Sequence, residues 1–90
     1  MLESKVIIIN RLGLHARAAA QLVRLAGSFK SRILLERIDN AVVSDAKSIL
    51  SVLTLAAAKG TKLVLKIDGE DEKKAMKAIE EIFTNGFGEL

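Results

Sequence analysis

Residues 61–67 alternate strictly: Leu63, Leu65 and Ile67 fall on one side, Lys62, Val64 and Lys66 on the other. A period of two with one apolar and one polar side is a strand buried on a single face. Such a strand needs a sheet, and its apolar face needs a cover. The rest of the chain supplies both. Residues 5–9, Lys-Val-Ile-Ile-Ile, are rich in β-branched side chains and predict a first strand, and 32–38 predict a second. Asp39 and Asn40 tolerate positive φ and predict a two-residue turn, after which 41–43 return as a short third strand.

Between the strands the period changes. Ala19, Leu22, Val23 and Ala26 recur at i, i+3, i+4 and i+7, while Arg17, Gln21 and Arg24 face away. This predicts a helix from about Ala16, stopped by Gly27. A second helix is expected over 48–58, with capping residues from Ser44 to Ser48 and a stop at Lys59-Gly60. A third begins near Gly69, with Glu70, Asp71 and Glu72 at its positive dipole end. Its buried stripe is Ala75, Ile79 and Ile82, flanked by Met76 and Phe83, and Asn85-Gly86 ends it. The order βαββαβα, over 90 residues without repeat or linker, predicts a single domain spanning 1–90. It is an α+β open-faced sandwich: four mostly antiparallel strands with three helices on one face.

Composition narrows the chemistry. No cysteine is present, which removes disulfides, thiolate nucleophiles and Cys-based metal centres. The start of the chain carries no signal-peptide pattern and no apolar run reaches the ~20 residues of a membrane span, so a cytoplasmic protein without membrane insertion is expected. The net charge of +3 suits an acidic partner or a phosphorylated ligand. The basic residues are scattered, however, and with three Phe, no Trp and no Tyr the stacking surfaces of nucleic-acid binding are missing.

One histidine exists, His15, so no second imidazole or thiolate can join it on a metal. Alone, a histidine at a helix start is most often a cap or a surface residue. Its setting adds to that. The first amides of a helix lack intrahelical partners, so Ala16, Arg17 and Ala18 offer N–H groups and the positive dipole end to an anion. The Arg17 guanidinium can reach the same anion, and Gly13 lets the chain turn sharply. An imidazole nitrogen beside such a site can act as a nucleophile and carry a phosphoryl group.

The run Gly13-Leu14-His15-Ala16-Arg17 closely resembles the active-site motif of the HPr family, the histidine-containing phosphocarriers of the bacterial phosphoenolpyruvate-dependent sugar phosphotransferase system. The likeness extends to Lys47-Ser48-Ile49, to Ala57-Ala58-Lys59-Gly60 before the alternating strand, and to the tail Gly86-Phe87-Gly88-Glu89. It implies an HPr-like fold and a carrier without cofactor, acting between enzymes rather than as an independent catalyst. In the family, enzyme I phosphorylates the histidine on Nδ1 and the group passes to enzyme IIA components. By resemblance His15 is the carrier and Arg17 the phosphate partner. Two departures stand out. Ala18 replaces the proline usual after the arginine, which loosens the first turn. The segment before the second helix is also longer than the common form.

The same resemblance makes Ser48 a candidate for regulatory phosphorylation by an HPr kinase/phosphorylase, although a serine at a helix start is sufficiently explained as a cap. In the family the outward residues of the second helix, next to the histidine, meet partner enzymes. The resemblance therefore also makes Leu14, Ile49, Leu50 and Leu53 candidate docking residues with Arg24 and Lys47 as a basic rim, an apolar centre with a charged border. A monomer is expected. A nitrogen-branch or purely regulatory paralogue is the alternative within the class, although His15 argues against regulation through serine alone. A small RNA- or ligand-binding α/β domain is the alternative outside it. The absent aromatics and the lack of a Gly-x-x-Gly loop count against that one.

Overall fold

The computed structural model describes residues 1–89. Its elements are β1 (Leu2–Ile7), α1 (Ala16–Gly27), β2 (Arg32–Arg37), β3 (Val43–Asp45), α2 (Ile49–Leu53), β4 (Lys62–Asp68), α3 (Glu72–Thr84) and a 3₁₀ turn at Gly86–Gly88. The expected order is observed. The sheet runs β1-β4-β2-β3, with every neighbouring pair antiparallel. The alternating strand β4 is therefore central. Leu63, Leu65 and Ile67 are completely buried, and Leu35 and Ile33 of β2 stand opposite Leu65 and Ile67. Burying each such side chain contributes roughly 1.5–3 kcal/mol.

The helices cover that face. Ala18, Ala19, Leu22 and Ala26 of α1 and Ala75, Met76, Ile79 and Phe83 of α3 enter one hydrophobic core with the strands. Small alanines on α1 let it lie close over the sheet. Ile82, expected in the buried stripe of α3, is only partly buried at its edge. The outward sheet face carries Lys62, Val64 and Lys66, exposed or half-exposed.

Several boundaries differ from expectation. β1 starts at Leu2, three residues early, and gives way to isolated bonds beyond Ile7: Ile8 N–H donates to Thr61 (3.0 Å) and Gly60 N–H to Ile8 (2.7 Å). β3 is Val43–Asp45 rather than 41–43, because the turn is longer than two residues. Arg37 N–H reaches the Val42 carbonyl (2.9 Å) only after Ala41 adopts φ 58°. α1 runs through Gly27, and Ser28 ends it in a right-handed conformation.

The largest departure is α2, which stops at Leu53 instead of 58. Ala56 turns left-handed (φ 49°), and the Arg37 guanidinium donates to the carbonyls of Leu55 (2.9 Å) and Ala56 (3.3 Å). Leu55 and Ala57 are then buried from an irregular segment. α3 begins three residues later than Gly69, at Glu72. Asp71 caps not its own helix but the β2 approach: its carboxylate accepts from Lys30 N–H, Ser31 N–H and Ser31 Oγ. No helix among the described residues is long and apolar enough to cross a membrane.

Candidate functional site

The segment between β1 and α1 is a tight loop whose geometry is fixed by main-chain bonds. Gly13 has φ 69°, and its N–H donates to Asn10 C=O at 3.1 Å. Leu14 N–H donates to Ala57 C=O at 2.8 Å, tying the loop to the segment after α2. A Cβ on Gly13 would stand 2.5 Å from that same carbonyl oxygen, so glycine is required by space as well as by φ. The loop delivers His15 to the N-cap of α1 with extended backbone (φ −73°, ψ 177°), the position expected for it, and His15 C=O accepts the first helical bond, from Ala19 N–H at 2.8 Å. The amides of Ala16, Arg17 and Ala18 precede that bond and so have no acceptor within the helix. Ala18 is buried, so the position usual for proline is filled by a packed methyl group.

The imidazole makes a contact that sequence reasoning missed. Its Nε2 lies 2.9 Å from both carboxylate oxygens of Glu89, in the tail after the 3₁₀ turn. Glu89 also accepts from Arg17 Nη2 at 3.1 Å and from Asn10 Nδ2 at 2.8 Å. The His15 and Glu89 side chains are 25% and 14% exposed, whereas Arg17 is 68% exposed. The Asn10 amide, followed by His15 and Arg17, holds the Glu89 acid below its usual range. An ionised carboxylate only accepts, so Nε2 carries the ring proton and a neutral ring keeps its lone pair on Nδ1. Phe87 anchors the tail: it is buried and meets Phe83 edge-on, with ring centroids 5.2 Å apart. The tail is recognisable as a motif, but nothing in it points to a residue 74 positions back in the chain.

The other expected residues divide. Ile49, Leu50 and Leu53 are exposed on α2, Leu50 at 74%, and Arg24 is exposed on α1. Leu14 is not a surface residue: it is 5% exposed and belongs to the core, because the bond to Ala57 pulls it inward. Lys47 is not an open rim charge, since its ammonium donates to Phe29 C=O at 2.7 Å. Ser48 is the N-cap of α2, and its hydroxyl accepts from Ser51 N–H at a long 3.4 Å.

A partly exposed histidine at the N-cap of α1, joined with Arg17 and Asn10 on the Glu89 carboxylate, stands on a four-stranded antiparallel α+β scaffold. A family model described as "PTS HPr component phosphorylation site" matches residues 2–85. The Phosphocarrier protein HPr of Xylella fastidiosa (strain 9a5c) is 48% identical over 89 residues, covering 99% of this chain and 98% of that protein. The protein of the same name from Cupriavidus necator is equally similar, at 48%. Among solved structures, HPr-C-His from Thermoanaerobacter tengcongensis superposes with a TM-score of 0.92 at 37% identity, covering 100% of this chain and 99% of that one. An HPr dimer from the same organism gives 0.78 at 37% identity, covering 99% of this chain and 100% of that one. The chain belongs to the HPr family, the phosphocarrier proteins of the phosphotransferase system.

Proposed function

We propose that His15 Nδ1 is the atom that carries the phosphoryl group, taken from enzyme I and given to enzyme IIA components, with the chain acting as a monomeric cytoplasmic shuttle rather than an independent catalyst. The observation that carries this reading is the Nε2–Glu89 contact. With the proton held on Nε2, the Nδ1 lone pair attacks the donor's phosphorus. The bond to the donor atom breaks with its electron pair, and an Nδ1–P bond forms. Developing charge on the phosphoryl oxygens meets the amides of Ala16, Arg17 and Ala18, and Arg17 can exchange Glu89 for those oxygens. A helix terminus contributes roughly 0.3–1 kcal/mol, up to ~2 when partly buried. That stabilisation is small enough for the group to be passed on.

Arg24 and the exposed Ile49, Leu50 and Leu53 supply the docking surface of this reading, with Leu14 and Lys47 removed from it. Ser48 is the candidate for regulatory phosphorylation. A phosphate there adds about −1.5 to −2 charge beside that surface and disfavours an acidic partner. Purified enzyme I and phosphoenolpyruvate are expected to place one acid-labile phosphate on the chain, and His15→Ala to abolish it. Equal labelling of the His15→Ala protein would refute the assignment.

A further inference from the structure

We propose that Asn10 is a positioning residue for phosphoryl transfer, acting on the imidazole through Glu89; this inference rests on the reading of His15 as the acceptor. Asn10 is completely buried, and both hydrogens of its amide are committed: Nδ2 lies 2.8 Å from Gly13 C=O and 2.8 Å from Glu89 Oε1. Its Oδ1, also buried, has no partner among the described residues. A buried acceptor left unpaired costs stability, so the orientation of this amide is set by what its donors do.

The turn itself does not require the second donation. It is already closed by Gly13 N–H on Asn10 C=O and by the first amide hydrogen on Gly13 C=O. The remaining hydrogen crosses to a residue 79 positions away. That donation is what separates the two oxygens of Glu89: Asn10 holds Oε1, Arg17 reaches Oε2, and the ring nitrogen is 2.9 Å from each. Asn10 is also the largest cause of the lowered pKa of Glu89.

The arrangement has a consequence for the transfer step. When Arg17 exchanges Glu89 for phosphoryl oxygens, it withdraws the guanidinium hydrogen bond that helps to hold the carboxylate. Asn10 is neutral and buried and does not move with Arg17. It keeps Glu89 on Nε2 while Arg17 is elsewhere, so the ring proton stays on Nε2 throughout the exchange.

The test is a double-variant cycle with ¹⁵N-labelled histidine. Imidazole nitrogen shifts report the ratio of Nε2–H to Nδ1–H rings, and phosphorylation by enzyme I gives the rate. Asn10→Ala is expected to lower both the ratio and the rate roughly tenfold, the change one hydrogen bond makes in an equilibrium. In a Glu89→Ala background the same substitution should have no further effect on either. Parent values for Asn10→Ala would overturn the proposal. So would an equal loss in the Glu89→Ala background, which would mean that Asn10 acts on the loop alone. If Asn10→Ala does not fold, Asn10→Asp keeps the shape while replacing the donor by an oxygen facing Glu89, and the same losses are expected. A parent protein that takes no label on His15 would overturn the acceptor assignment instead, and the tautomer ratio would still decide the role of Asn10.

Discussion

The loop that presents His15 depends on Gly13 for two separable reasons, and Gly13→Ala measures their sum. The first is backbone conformation: φ is 69°, and a non-glycine residue in the left-handed region costs about 1–2 kcal/mol. The second is space: the new Cβ would stand 2.5 Å from Ala57 O and 3.0 Å from Ala58 Cα, both main-chain atoms. Ala57 cannot simply retreat, because its carbonyl accepts the Leu14 N–H at 2.8 Å. Overpacking of this kind costs typically 1–3 kcal/mol. Together they predict a loss of about 2–5 kcal/mol, and at ~4–8 °C per kcal/mol for a domain of this size the melting temperature falls by at least ~8 °C. Gly60 is the internal control. It has φ 92°, and a Cβ there would meet nothing within 4 Å, so Gly60→Ala is expected to show the conformational cost alone. Gly27, in α1 with open space around it, should lose nothing on becoming alanine. Thermal unfolding of the three variants, followed by circular dichroism, is the assay. A Gly13→Ala loss no larger than that of Gly60→Ala would refute the argument from Ala57.

Asp71 should govern acid stability. Its pKa is lowered to about 2, chiefly by the Ser31 hydroxyl and then by the Lys30 amide, from an ordinary 3.8. The stabilisation is therefore complete above about pH 4 and is lost as pH falls toward 2. Denaturation midpoints measured across that window should slope for the parent and flatten for Asp71→Asn, and an unchanged slope would show that other carboxylates dominate. Leu50, 74% exposed, should tolerate Leu50→Ser within about 0.5 kcal/mol of stability. Phosphorylation by enzyme I should nevertheless slow through a weaker encounter, seen as a raised KM, and an unaltered KM would remove Leu50 from the docking surface.

What can be read from the chain follows from how local each signal is. Leu63, Leu65 and Ile67 announce β4 because alternation is a property of neighbours, and the stripe from Ala19 to Ala26 locates α1 for the same reason. The His15 N-cap is equally legible, since a cap belongs to its own helix. The end of α2 is not. It depends on the Arg37 side chain arriving from β2 to take the Leu55 and Ala56 carbonyls, and an apolar run through 58 shows nothing of that. Leu14 stands beside His15 in the chain and Lys47 is a surface residue by type, yet Leu14 is drawn into the core, where a main-chain bond ties it to Ala57, and Lys47 spends its charge on the Phe29 carbonyl. Glu89 and Asn10 are invisible for the plainest reason: their meeting is made by the fold alone.

The strand order has its own consequence for how this chain reaches its native state. Only β2 and β3 pair across a short loop. β1 and β2 both wait for β4, and Leu2 finds Ile67 only when most of the polypeptide is present. A large loop must close before the central contacts reward it, so collapse to the native sheet should be slower than in a helical bundle of equal length. During synthesis the amino-terminal strand leaves the ribosome long before its partner exists.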